Sequence, residues 1–295
     1  MARLKVILLI GLLFFLHCRP ETPLLVLEQE VTAAFRNGQG VFSMAFKDLQ
    51  SGEEILINGD DSFHAASTMK TPVMIEVYKQ AEQGFFDLKD SLQVVNEFYS
   101  IVDSSTYSLN SDEDSEKTLY DLIGQKKMIS DLVYDMIIVS SNLATNIVIG
   151  LVDARQVTET MRSFGAENIL VLRGVEDMLA YERGLSNRTT ARDLMTIYEA
   201  LALRKVVSAR ASDEMIEILK DQRFGDIIPA HLPRNIEVAH KTGVITGLHH
   251  DSGIVYLPDG RKYVLVLLSR DLQDFDEGTQ LLASISKMVY DYMKS

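Results

Sequence analysis

Cysteine is almost missing from this chain: one stands at position 18 and no other in 295 residues. A lone cysteine excludes an internal disulfide, so stability must come from packing. Long apolar runs are missing as well. Residues 6–16 form an apolar run of eleven, where a membrane helix needs about 20. Basic residues are few beside acidic ones, 29 against 42, for a net charge of −13. A surface of that sign repels phosphate backbones and anionic lipid, which argues against nucleic acid and acidic membranes as partners. It also means that an anionic substrate would need a local positive site. No H-x-H or H-E-x-x-H spacing occurs. His240, His249, His250 and Asp251 are the residues a zinc site would draw on, but neighbours on a strand point to opposite faces. No metal or other cofactor is expected. No repeat, low-complexity tract or linker divides the chain.

What is present begins with a targeting segment. Arg3 and Lys5 precede the apolar run, the pattern of an export signal. We expect residues 1–18 to be signal and the protein to be exported, to a bacterial periplasm or to a membrane as a lipoprotein. Without those residues the balance is 27 basic against 42 acidic, or −15. Cys18 could carry a lipid anchor, although His17 stands where a small residue is expected. A simple cleaved signal is the alternative. Hydrophobic residues make up 46% of the sequence, enough for one large core, and a monomer is expected.

Apolar spacing predicts a helix over residues 23–35, with Thr22 and Pro23 at its start. Alternation predicts a hairpin over 41–49 and 54–58, with Phe42, Met44 and Phe46 on one face. A helix is predicted to open at Ser67 and run toward residue 83, with Pro72 near its first turn. Residues 97–117 are polar and acidic and read as an exposed insertion. Helical patterns follow at 129–139, 144–152, 157–164, 191–203 and 211–220, with a loop over 173–188. Three strands are predicted at 237–245, 251–257 and 262–269, and a last helix at 275–293. The expected fold is α/β (α+β): one five-stranded antiparallel sheet built from both chain ends and flanked by the terminal helices, plus an all-helical lobe. The sheet lobe would take about residues 19–62 and 221–295, and the helical lobe about 63–220.

Three strings carry chemistry: Ser67-Thr68-Met69-Lys70, Ser140-Ser141-Asn142 and Lys241-Thr242-Gly243. On a helix, Ser67 and Lys70 emerge on one face. A serine hydroxyl needs a nearby base to act as a nucleophile, and a lysine can be that base if burial lowers its pKa. Ser140 offers a second hydroxyl for proton relay. Lys241 offers positive charge, Thr242 a hydroxyl, and Gly243 close access to backbone. Singly these strings are ordinary caps and turns, and S-x-x-K occurs by chance roughly once in 250 residues. Their conjunction in this order resembles the S-x-x-K, S-D-N and K-T-G signature of class A β-lactamases and penicillin-binding proteins.

The resemblance extends further. Residues 63–70, Phe-His-Ala-Ala-Ser-Thr-Met-Lys, are similar to the run into that family's nucleophile helix. Asn142-Leu143-Ala144-Thr145-Asn146 resembles its S-D-N-T-A-A-N continuation, and Asn187-Arg188-Thr189-Thr190-Ala191 the step out of its omega loop. The similarity covers about residues 25–293, so residues 19–295 are expected to form one β-lactamase-like catalytic domain. It implies a hydrolase opening a β-lactam ring through a Ser67 acyl-enzyme. The backbone N–H groups of Ser67 and Val244 would form the oxyanion hole. Lys241 and Thr242 would hold the carboxylate of a β-lactam or a peptidoglycan-like acyl donor. Ser140 would pass a proton to the leaving nitrogen, and Asn142 would bind the substrate's side-chain amide.

Three departures stand out. Ser141 replaces the family's aspartate. His249 and His250 lie where many members carry a carboxylate-binding arginine, leaving Arg223 or Arg270 as substitutes. The family's deacylation motif, E-x-x-L-N, reads Glu176-Asp177-Met178-Leu179-Ala180 in a loop about two residues short. Glu176 is the expected base, with Asp177 and Glu182 as alternatives, and Ala180 lacks the asparagine's hydrogen bond to water. A slow hydrolase, or an exported sensor that acylates without turnover, is the competing expectation, as is a serine peptidase of other substrate range.

Overall fold

The computed structural model describes residues 22–295; residues 1–18, expected to be a signal, and Cys18 among them lie outside the described residues. Helix α1 (Pro23–Asn37) starts with Thr22 accepting from the Leu25 N–H and proline in its first turn. Strands β1 (Val41–Asp48) and β2 (Glu54–Ile57) form the expected hairpin. The helical part comprises α2 (Lys70–Glu82), α3 (Ile129–Ile138), α4 (Asn142–Val152), α5 (Ala154–Ser163), α6 (Met178–Glu182), α7 (Ala191–Ala202) and α8 (Ala209–Lys220). Strands β3 (Glu237–Ile245), β4 (Leu248–Tyr256) and β5 (Lys262–Arg270) and helix α9 (Phe275–Lys294) complete the chain. The sheet is antiparallel with order β2-β1-β5-β4-β3, so the last strand lies at its centre, beside the first.

Strand β5 reads Tyr-Val-Leu-Val-Leu-Leu from residue 263 and is buried along this length, as a sheet covered on both faces requires. Val264, Val266 and Leu268 enter the core shared with the helical lobe. Tyr263, Leu265 and Leu267 enter a second core with α1 and α9. Period-two alternation therefore joins two separate cores through one strand. On α9, Leu282, Ile285, Val289 and Met293 recur at helical spacing and pack on this outer face with Leu27, Val31 and Phe35 of α1. Helix α2 is buried from Lys70 through Tyr78, the condition of a helix enclosed by others.

Three differences from the sequence reading bear on the site. Ser67 sits in a 3₁₀ turn, Ala66–Met69, immediately before α2 rather than on α2 itself. Strand β4 starts at Leu248, because Gly247 with φ +78° closes a tight turn from Ile245; His249 and His250 thus belong to the sheet. Finally, residues 97–117 are not simply an exposed insertion. Ser100, Leu109 and Asp114 within them are buried. The segment is drawn inward because Asp177 accepts from the Ser100 hydroxyl (2.9 Å) and the Ile101 N–H (3.0 Å), while Asp114 reaches the start of α4.

Candidate active site

A cleft of about 810 Å³ opens where the 3₁₀ turn, strand β3, the start of α4 and the 173–188 loop meet. Ser67, Ser140, Asn142, Glu176, Thr242 and Val244 line it. Lys70 and Lys241 lie at its base, both fully buried. Gly243 runs flush against the serine turn. A methyl group built on it would lie 3.1 Å from the backbone nitrogens of Ser67 and Thr68, closer than a side chain there is normally tolerated. Val244, the next residue, is exposed at the cleft.

The polar groups form one network. Lys70 Nζ donates to the Ser140 carbonyl at 2.7 Å, to Ser140 Oγ at 3.1 Å and to Asn142 Oδ1 at 2.9 Å. Lys241 Nζ donates to the same Ser140 Oγ at 3.0 Å and to the Thr242 carbonyl at 2.9 Å. Asn142 Nδ2 donates to Glu176 Oε1 at 2.7 Å. Two lysines thus occupy the lone pairs of one hydroxyl, which leaves its hydrogen to point elsewhere. Asn142 is used on both sides, and its second Nδ2 hydrogen remains for a ligand.

Burial sets the protonation of these groups. It lowers the Lys70 amine to about 7, against an opposing pull from the Asp114 and Glu176 carboxylates. Lys241 is also pushed well down, by burial first and then by the Lys70 charge, with Asp251 opposing. Glu176 is raised, chiefly by burial. Amines brought toward neutrality and a carboxylate brought upward are suited to moving protons near neutral pH.

The backbone is strained at three of these positions. Ala66, Ser140 and Glu176 have φ of +44°, +58° and +61°, a region that costs a non-glycine residue about 1–3 kcal/mol. Each is held by neighbours. The Ala66 N–H donates to His64 Nδ1 at 3.0 Å. Ser140 is held by Lys70. Before Glu176, Asn146 Oδ1 accepts from the Val175 N–H at 2.7 Å and its Nδ2 donates to the Val175 carbonyl at 3.0 Å. Gly174 leaves room for that amide, since a methyl group there would lie 2.2 Å from Asn146 Oδ1.

Of the three acids considered as a base, Glu176 alone has its carboxylate joined to Lys70 and Ser140 through Asn142. Asp177 borders the cleft, but its carboxylate is taken by Ser100, Ile101 and the Ala180 N–H at the start of α6. Glu182 ends α6, exposed and outside the cleft lining. Ala180 is fully buried and also outside the lining. Neither proposed arginine borders the cleft: Arg223 is exposed, and Arg270 stacks over the Phe63 ring at 5.4 Å. His249 does line it, stacked on Phe275 at 5.1 Å. His250 lies beneath, accepting from the Ser269 N–H and donating to the His64 carbonyl, and burial lowers it to about 4. His240 pairs with Asp251 at 2.8 Å. The three histidines thus turn to three different partners and do not converge on a point.

The sequence reading missed Asp114 and His64. His64 lay inside a recognised string without a role. Asp114 carried no signal, standing in an acidic run like its exposed neighbours.

Sheet, helical lobe and a cleft that gathers Ser67, Ser140 and two buried lysines fit a serine hydrolase, and the comparisons give the family. The β-lactamase enzyme family matches residues 26–293. The chain belongs to that family and is a serine β-lactamase-like hydrolase. A β-lactamase of Bacteroides uniformis is 39% identical over 71 residues, 21% of this chain and 24% of that protein, so the match spans about a quarter of the relative. Among solved structures, the β-lactamase of Sphaerobacter thermophilus superposes with a TM-score of 0.76 at 26% identity, covering 91% of this chain and 97% of that one. A variant of PBP-A, solved as an acyl-enzyme with penicillin G, gives 0.79 at 26% identity, covering 94% and 99%.

Proposed function

We propose that this protein opens β-lactam rings through an acyl-enzyme on Ser67. The observation that carries the reading is the meeting of Lys70, Lys241 and Asn142 around the Ser140 turn beside Ser67, with the Lys70 amine held near 7. A neutral Lys70 takes the Ser67 proton as Oγ attacks the ring carbonyl. The N–H groups of Ser67 and Val244 stabilise the oxyanion. The ring C–N bond breaks, and the Ser140 hydroxyl gives its proton to the leaving nitrogen and takes one back from the Lys70 ammonium beside it. Lys241 and Thr242 hold the substrate carboxylate, and the free hydrogen of Asn142 meets the acyl side chain's amide. Glu176 then takes a proton from water attacking the ester; the ester C–O bond breaks, and that proton passes on to the Ser67 oxygen, which restores both groups.

A second reading, a penicillin-binding protein that acylates without turnover, has the PBP-A likeness and the alanine at 180 in its favour. Turnover of a chromogenic cephalosporin separates the two. Many cycles per molecule are expected; a stoichiometric burst would select the second reading. Intact mass after penicillin treatment should show one acyl adduct, absent from Ser67→Ala. An adduct on that variant would remove Ser67 from the mechanism. Inactivity on every β-lactam with retained peptidase activity would move the substrate to a peptidoglycan-like donor. We propose in addition that residues 1–18 direct export to the periplasm or to a membrane as a lipoprotein, read by the mass and fraction of the mature chain.

A further inference from the structure

We infer that Asp114 is a positioning residue for the Ser140-Ser141-Asn142 turn, supplying from the 97–117 segment a carboxylate that the turn itself lacks. The role in acylation rests on the Ser67 reading above; the role in holding the turn does not.

The turn poses a physical problem. Ser140 is left-handed without being glycine, and the first N–H groups of α4 have no partner within the helix. In the resembling family the middle residue of this motif is an aspartate. Here it is Ser141, whose hydroxyl reaches only the Ala144 N–H, at 3.2 Å. The N–H groups of Asn142 and Leu143 would then be left unpaired beside the site. Asp114 takes both. Its Oδ1 accepts from the Asn142 N–H at 3.1 Å, and its Oδ2 accepts from the same N–H at 3.0 Å and from the Leu143 N–H at 2.9 Å.

Asp114 is itself held in place. The Glu116 N–H donates to Oδ1 at 3.1 Å and the Tyr120 hydroxyl to Oδ2 at 3.0 Å, and the residue is 4% exposed. The next residue fastens the same turn from its other side, with the Ser115 hydroxyl donating to the Val139 carbonyl. A buried carboxylate with this many donors is fixed in position.

What it fixes is the residue on which the site converges. Asn142 joins Lys70 to Glu176, and the adjacent Ser140 joins Lys70 to Lys241. Moving the Asn142 backbone would move all four groups, and a shift near 1 Å can cost about 10²-fold in rate. The charged groups facing Lys70 are Glu176 on the 173–188 loop, Lys241 on β3 and Asp114. Asp114 and Glu176 favour its ammonium form. Loss of the Asp114 charge therefore lets Lys70 lose its proton at lower pH. A part that served only folding would leave that midpoint where it is.

The test compares wild type with Asp114→Asn, which keeps the shape and removes the charge. Asp114→Glu, which keeps the charge and displaces the oxygens, serves if Asp114→Asn does not fold. Two readouts need no substrate. Amide hydrogen exchange at Asn142 and Leu143 is expected to quicken at least about tenfold in either variant. The Lys70 ¹³Cε titration is expected to shift to lower pH in Asp114→Asn and to stay near wild type in Asp114→Glu. In the third, Ser67 acylation by penicillin is expected to slow about 10- to 100-fold in both, its acid midpoint moving down only in Asp114→Asn. Unchanged exchange at the two amides overturns the proposal. So does slower acylation with an unmoved midpoint in Asp114→Asn. Failure of wild type to acylate would remove the Ser67 reading, and the exchange and titration would still decide Asp114.

Discussion

Lys70 titrates where few lysines do, and that determines how the reaction should respond to acid. Its amine is lowered to about 7 by burial, and only the neutral form can accept the Ser67 proton. Acid protonates it and removes the base. Acylation rate against pH should therefore rise through a midpoint near 7 to a plateau on the alkaline side; a pH-independent rate between 5 and 9 would exclude Lys70 as the base. In the proposed mechanism Glu176 serves the second half of the cycle. Glu176→Gln should leave acylation nearly intact and slow deacylation by roughly 10²–10⁴-fold, so that the adduct survives for mass spectrometry. Unchanged deacylation would remove Glu176, and with Asp177 engaged elsewhere no other acid in the 176–182 stretch would replace it.

The elements supply positions that no single residue could. The 3₁₀ turn, the Ser140 turn and the 173–188 loop are each held against a neighbour: β3, the 97–117 segment and α4. Ala180 shows how fully the loop is packed. From its motif position alone, an asparagine there would be expected to anchor water and raise turnover. Ala180 is instead fully buried and outside the cleft lining, so a larger side chain there would crowd its neighbours, at about 1–3 kcal/mol. Ala180→Asn should melt several degrees lower, with no gain in kcat; a faster, equally stable variant would show that α6 can turn its face to the cleft. The same contrast explains what was legible in the sequence. Strings with short internal spacing, such as Ser67 to Lys70, and strands with an alternating or continuous apolar pattern, such as β1 and β5, could be read because their information is local. Asp114 and Ser100 could not. Their partners lie 28 and 77 residues away, and an acidic segment looks the same whether it faces water or folds under. The start of β4 was misplaced because two polar histidines at a strand's edge look like a loop until both find partners in the sheet.

At the scale of the whole molecule, buried histidines make the fold sensitive to acid. His250 is lowered to about 4 and His249 is lowered as well, both mainly by burial. An unfolded histidine takes a proton near 6.5. Below that value the unfolded chain binds more protons than the folded one, so stability falls with pH and the loss levels off near 4. For His250 the loss amounts to at most about 3 kcal/mol. The melting temperature should drop steadily from pH 7 to pH 4.5, and replacing His250 by glutamine should flatten that drop. An unaltered slope in the variant would place the acid sensitivity elsewhere.

The sheet order has a consequence in time as well as in space. The strand that joins the two cores, β5, ends at Arg270 and is made after every other strand of this sheet. Until it exists, β1 and β2 have one edge unpaired, and neither face has the strand on which its core closes. Contacts between the chain's two ends are slow to form, because a long loop must close before they reward it. Until then the chain that precedes it keeps apolar surface exposed. If the chain is exported as proposed, the same delay would leave it unfolded enough to pass through a pore first.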